Sequence, residues 1–140
     1  MTGFSRIVVA VDGSANAGRA LELAGRLASA SGASVAVVHA VGLLEERTLH
    51  AAGAGGGSDA VDRRVFEWCE PLRSAGVDHH AEVVAGSPVP VLLAAVAREG
   101  ADLVVVGSRG LGGPGRRLGS TSLGLVEECP VPVLVVPPPG

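Results

Sequence analysis

The chain has 140 residues, 47% of them hydrophobic and 18% charged, and a formal net charge of −3. That length suits one domain spanning 1–140 with a core of its own, and the apolar share excludes a largely disordered chain. The acidic balance argues against a nucleic-acid surface, and no apolar run reaches membrane-spanning length.

Aromatic residues are confined to Phe4, Phe66 and Trp68, so the core must be built from valine, leucine and alanine. No signal peptide is read at Met1, and Cys69 and Cys129 are expected to be reduced thiols in a cytoplasmic protein.

Arg6–Val11 (RIVVAV) is short, apolar and β-branched, as a buried parallel strand is. Asp12-Gly13-Ser14 follows as a tight turn, with Ser14 as N-cap of a helix reaching about Ser31. Ala17, Ala20, Leu21, Ala24, Leu27 and Ala28 share one face of that helix, and Gly32 caps its end. Ser34–Ala40 is the second strand.

A long connection, Val41–Ser58, contains the low-complexity stretch Ala51–Ser58. A second helix starts at Asp59 with a buried stripe of Val61, Val65, Trp68, Cys69 and Leu72. Pro71 is expected to kink or end it, and Gly76 stops it. Asp78–Ala85, carrying His79, His80 and Glu82, is polar enough for an edge strand. Ser87 and Pro88 open a third helix with Val89, Leu92, Leu93 and Val96 inward, ending at Gly100. Leu103–Val106 is the fourth strand, Ser120–Glu128 a short last helix, and Val133–Val136 the fifth strand. Strict alternation of strand and helix predicts an α/β fold with a parallel sheet and right-handed crossovers.

The stretch from Leu103 to Ser122, LVVVGSRGLGGPGRRLGSTS, is the most informative. A strand runs into a glycine-dense loop and then into a helix start with Ser120 as N-cap, which is an anion-binding arrangement. A P-loop is excluded, because it needs a lysine and all 11 basic residues here are arginine. Gly110-Leu-Gly112-Gly113-Pro-Gly115 matches the dinucleotide fingerprint formally. It comes too late in the chain, is interrupted by Pro114, and is easily met by chance among 21 glycines.

Gly107-x-x-Gly110, a spacer, and Gly119-Ser120 resemble the ATP-binding loop of the universal stress protein family. The likeness runs from IVVAVDGSANAGRALELA to CPVPVLVV. It departs at one point: ATP-binding members have nine residues in the spacer, whereas Leu111–Leu118 is eight and holds Pro114 and the pair Arg116-Arg117.

The resemblance implies a five-stranded sheet of order 3-2-1-4-5, sandwiched by four helices in an adenine nucleotide α-hydrolase-like fold. Strands one and four then part at a switch point where ligands bind. It implies a crevice lined by Ala10, Val11, Asp12, Ala40, Val106 and Gly107. Arg109, Gly110, Gly119, Ser120, Thr121 and Ser122 complete it. Asp12 would contact ribose or adenine, or else only close the turn. Ala40 would present its backbone to the base, and Arg109 would border the nucleotide. Gly107, Gly110 and Gly119 would let phosphate approach. Ser120, Thr121 and Ser122 cap the helix in either reading, and Arg116-Arg117 pair with phosphate or stay solvated.

His39 reads as a satisfied core histidine, and Cys129 as a structural thiol. His79 and His80 point to opposite faces of a strand and make a poor metal pair. No nucleophile, base and orienting group stand at catalytic spacing. A pyrophosphatase-type motif after strand one is missing, although slow ATP hydrolysis is a trait the resemblance carries.

The expected function is a small nucleotide-binding stress-response or signalling module. It would take ATP, with Mg²⁺ through the phosphates, and pass its state to a partner. The alternative is a non-binding member acting through protein contacts. The apolar fifth strand at a sheet edge predicts a homodimer, which the resemblance also implies.

Overall fold

The structure, a computed structural model, describes residues 3–41, 63–109 and 118–139. Five strands form one parallel sheet: β1 Arg6–Ala10, β2 Ser34–Val41, β3 His79–Ala85, β4 Leu103–Gly107 and β5 Val133–Val136. Their order is β3-β2-β1-β4-β5, with β1 against both β2 and β4, as the resemblance led one to expect. The polar third strand lies at one edge and the apolar fifth at the other.

The strands divide their side chains between two apolar layers because successive Cβ atoms alternate. Ile7, Val9, Val35, Val37, Leu103 and Val105 face helix α1 (Ala15–Ser31) and the helical stretch 63–74. Val8, Ala36, Val38, Val104 and Val106 face α3 (Pro88–Glu99) and α4 (Ser120–Glu128). Side chains such as Ile7, Leu92 and Leu125 are wholly buried, each worth about 1.5–3 kcal/mol against exposure.

Helix α1 begins and ends where its sequence says. Ser14 Oγ accepts from the Ala17 amide at 3.1 Å, and Gly32 closes the helix with φ 74°. The second helix is interrupted. Residues 63–68 are helical, the chain turns at Cys69, and α2 (Glu70–Ser74) resumes with Pro71 in its first turn. Proline has no N–H to donate and its ring clashes with the preceding turn. The break therefore falls before Pro71, and Cys69 N–H is shared between the carbonyls of Val65 and Phe66. Asp59 and Val61, expected at the start of this helix, lie outside the described residues.

Ser87 stands at the N-cap of α3 without a side-chain bond, Pro88 follows it, and Gly100 ends the helix with φ 63°. Ser120 is not the N-cap of α4. Gly119 holds that place, with φ −66° and ψ 164°, and Ser120 is the first helical residue. The reason is a tether: Gly119 N–H donates to Ser108 O at 2.8 Å, which fixes the helix entry one residue earlier.

Candidate functional site

β1 and β4 are neighbours that feed helices on opposite faces of the sheet, and a crevice opens above their C-terminal ends, as such a switch point requires. A cavity of about 270 Å³ lies there. Ala10, Val11 and Asp12 come from the end of β1, and Ala40 from β2. Val106, Gly107 and Arg109 come from β4 and its exit, and Gly119, Ser120 and Thr121 from the start of α4. Ten sequence-predicted residues are thus brought to one cavity.

Two others are not among them. Gly110 lies outside the described residues, as do Arg116 and Arg117. Ser122 is 2% exposed and turns away, its hydroxyl donating to Gly107 O at 2.7 Å and reaching Ser108 O at 3.3 Å. It ties α4 to β4 from behind the cavity. Ala17, Val38, Pro88 and Leu92 line the cavity as well and were not foreseen. Ala17, Val38 and Leu92 lie in apolar runs that read as core, Pro88 read only as a helix start, and core residues at the mouth of a sheet look no different in sequence.

The cavity's lining has two chemical characters. Small or apolar groups, Ala10, Val38, Ala40, Leu92 and Val106, supply one, fit for a flat, weakly polar ring. The start of α4 supplies the other. Ser120 and Thr121 are its first two residues, so their N–H groups have no intrahelical acceptor and point along the positive end of the dipole. Asp12 borders the cavity while one carboxylate oxygen accepts from Ser14 N–H at 2.9 Å, so it closes the turn whatever else it contacts.

The β4 exit is more heavily wired than its glycines suggested. Ser108 N–H donates to Val136 O at 2.8 Å, and Arg109 N–H donates to Asn16 Oδ1 at 2.7 Å. Together with the Gly119 tether, these bonds commit three loop amides to the scaffold. Gly107 is a glycine for a reason of space. A Cβ there would lie 2.8 Å from Asn16 Cγ, and its φ is not positive.

Asn16, buried at 5% exposure, is the residue that sequence reading missed. A polar residue in a first helical turn normally faces water, and only its place beside Ala17, at the rim of the apolar stripe, hinted otherwise.

Below the crevice, His39 is the satisfied core histidine expected. Nδ1 lies 2.9 Å from Val11 O, and the ring meets Trp68 edge-on at 5.2 Å. Trp68 in turn leaves no room for a Cβ at Gly13, whose φ is 85°. Among the described residues, no group of three His, Cys, Asp or Glu is placed to hold a metal ion. His79 pairs with Val77 O at 2.8 Å and His80 with Glu99 at 3.3 Å. Burial raises the Cys69 thiol above its ordinary value, partly countered by Arg73.

The family model described as the universal stress protein family matches residues 3–137. A universal stress protein of Thermus aquaticus is 39% identical over 140 residues, covering 95% of this chain and 98% of its own. A universal stress protein of Mycobacterium tuberculosis is 36% identical over 139 residues, covering 92% of this chain but 43% of its own, so the chain spans under half of that relative. A solved structure of a universal stress protein in complex with cAMP is 29% identical, with TM-score 0.76, covering 96% of this chain and 98% of that one.

Proposed function

Since the chain belongs to the universal stress protein family, we propose that it is a nucleotide-binding signalling module that takes ATP in the crevice above β1 and β4. One observation carries this reading: a single cavity joins an apolar wall at Val38 and Leu92 to the open amides of Ser120 and Thr121. Adenine fits the first and phosphate the second. The universal stress protein solved with cAMP supports an adenine nucleotide in this fold. Mg²⁺ would be carried by the phosphates, since the described residues offer no cluster of protein ligands for it.

The family's non-binding role is the second reading. It is favoured by the commitment of the Ser108, Arg109 and Gly119 amides to the scaffold. The edge strand β5, with Val133, Leu134 and Val135 half-buried, offers a second copy of the chain a strand to pair with.

Calorimetry with ATP and Mg²⁺ separates the readings, and Ser120→Pro sharpens the test. Proline is well suited to the first helical position, and Gly119 already has the extended angles that precede proline. The change deletes one N–H together with the Ser120 hydroxyl, which Ser120→Ala removes alone as the control, and it leaves the fold intact. ATP affinity should fall by about 1.5–3 kcal/mol, the worth of a hydrogen bond to a charged group. No heat of binding in the wild type would establish the non-binding reading. Unchanged affinity in the variant would remove the phosphate from the helix start.

A further inference from the structure

One side chain bridges the backbone at the cavity and the end of β5, the edge strand that pairs with β4. Asn16, in the first turn of α1, accepts at Oδ1 from Arg109 N–H at 2.7 Å and from the Ser108 hydroxyl at 3.3 Å. Its Nδ2 donates to Val136 O, the last carbonyl of β5, at 2.9 Å. The amide is planar and rigid, so its two ends cannot move independently. It is also jammed in place, because its Cγ fills the space beside Gly107 where a Cβ would otherwise stand. One turn further along α1, Arg19 donates to the carbonyls of Pro137 at 3.2 Å and Pro138 at 2.8 Å. The same helix thus holds the cavity's backbone and the chain leaving the edge strand.

We propose that Asn16 couples occupancy of the cavity to the β5 edge. Ligand that fixes the backbone of Gly107–Arg109 fixes the Asn16 amide, and through Val136 O it fixes the exit of β5. The reverse holds by linkage: whatever pairs with β5 tightens the cavity by the same factor. The proposal rests on the reading of the cavity as a nucleotide site and assigns that site its output surface. Asn16 acts here as a positioning residue and need not touch the ligand.

Amide hydrogen exchange of Val133–Val136, read by NMR on the full chain with and without saturating Mg²⁺-ATP, tests this. Calorimetry confirms occupancy in every sample. In the wild type, ATP should slow exchange at these amides about fivefold or more, the low end of ordinary coupling. Asn16→Asp keeps the shape and the Oδ1 acceptor but replaces the donor to Val136 O. Asn16→Ala removes both halves. In each variant the ATP-dependent difference should shrink while ATP still binds, the remainder passing through the direct bond from Ser108 N–H to Val136 O at 2.8 Å.

Arg19→Ala, which touches the chain only beyond β5, should leave the difference in place. A residue that merely stabilised the fold would speed exchange equally with and without ATP and leave the ratio unchanged. That outcome, or wild-type protein that binds ATP with no slowing at β5, overturns the coupling. Wild-type protein that takes up no ATP overturns the nucleotide reading instead, and the coupling with it.

Discussion

Replacing Gly107 by alanine should be among the most damaging single-methyl changes in this chain, and the cause should be Asn16. The added Cβ would lie 2.8 Å from Asn16 Cγ, 3.0 Å from Nδ2 and 3.1 Å from Oδ1. Those are the atoms that bond Val136 O and Arg109 N–H, so the side chain must leave and its partners lose their bonds. Overpacking a tight site costs about 1–3 kcal/mol. A buried polar group left unsatisfied costs about 1–3 kcal/mol more. The sum, about 2–6 kcal/mol, corresponds to a fall in Tm of roughly 6–20 °C for a chain of this size.

Backbone strain contributes little, because Gly107 does not have positive φ. Gly32 and Gly100 provide the contrast. Both are left-handed, at φ 74° and 63°, with nothing within 4 Å of an added Cβ, so alanine there costs only the backbone term of about 1–2 kcal/mol.

A double-mutant cycle in urea isolates the cause. In the Asn16→Ala background the obstructing atoms are gone, and Gly107→Ala should cost less than about 1 kcal/mol. If the two changes add within about 0.5 kcal/mol, the residues are independent and the spatial reason given for this glycine is wrong.

Ser122→Ala should cost about 1–2 kcal/mol by urea titration, since its buried hydroxyl joins α4 to Gly107 O. Cys69 has its folded pKa raised by burial, so its contribution is complete below the unfolded value near 9.0 and is lost as pH rises from there. Cys69→Ala should therefore flatten the alkaline arm of a stability–pH curve, and an unchanged arm would place that loss elsewhere. Val135→Glu should convert a dimeric light-scattering mass to a monomeric one if β5 pairs with a second copy, and a monomer mass in the wild type would dispose of that pairing.

Much of the fold could be read because local and global signals agree. The strands are short β-branched runs, and glycine, serine and proline stand where helices begin and end, so Ser14, Gly32, Ser87 and Gly100 take their expected places. The order of strands came from the resemblance, since alternation of elements leaves several parallel orders open. Legibility failed where a residue's neighbours are distant in sequence. Gly107 looked like a phosphate glycine, but its neighbour is Asn16, on another element. Ser122 looked like part of a ligand site, but it is spent on two carbonyls behind it. Ser120 missed the N-cap because a bond from Gly119 to Ser108 sets the helix entry, and no local pattern carries that contact.

The same wiring bears on where an anion can sit. A glycine loop attracts phosphate through free N–H groups, yet at the β4 exit the amides of Ser108 and Arg109, and that of Gly119 across from them, already have acceptors within 2.8 Å. Pulling any of them toward a ligand would exchange one hydrogen bond for another and loosen a tie to β5, α1 or α4. The first turn of α4 faces no such exchange, because its amides lack acceptors by helix geometry alone. On the proposed nucleotide reading, phosphate would therefore bind most cheaply at Ser120 and Thr121. The β4 exit then borders the same site, joined to that helix start by Ser122 and the Gly119 tether. Glycines at such a border allow elements to approach closely, and their number in a loop says less about ligand contact than the acceptors their amides have already found.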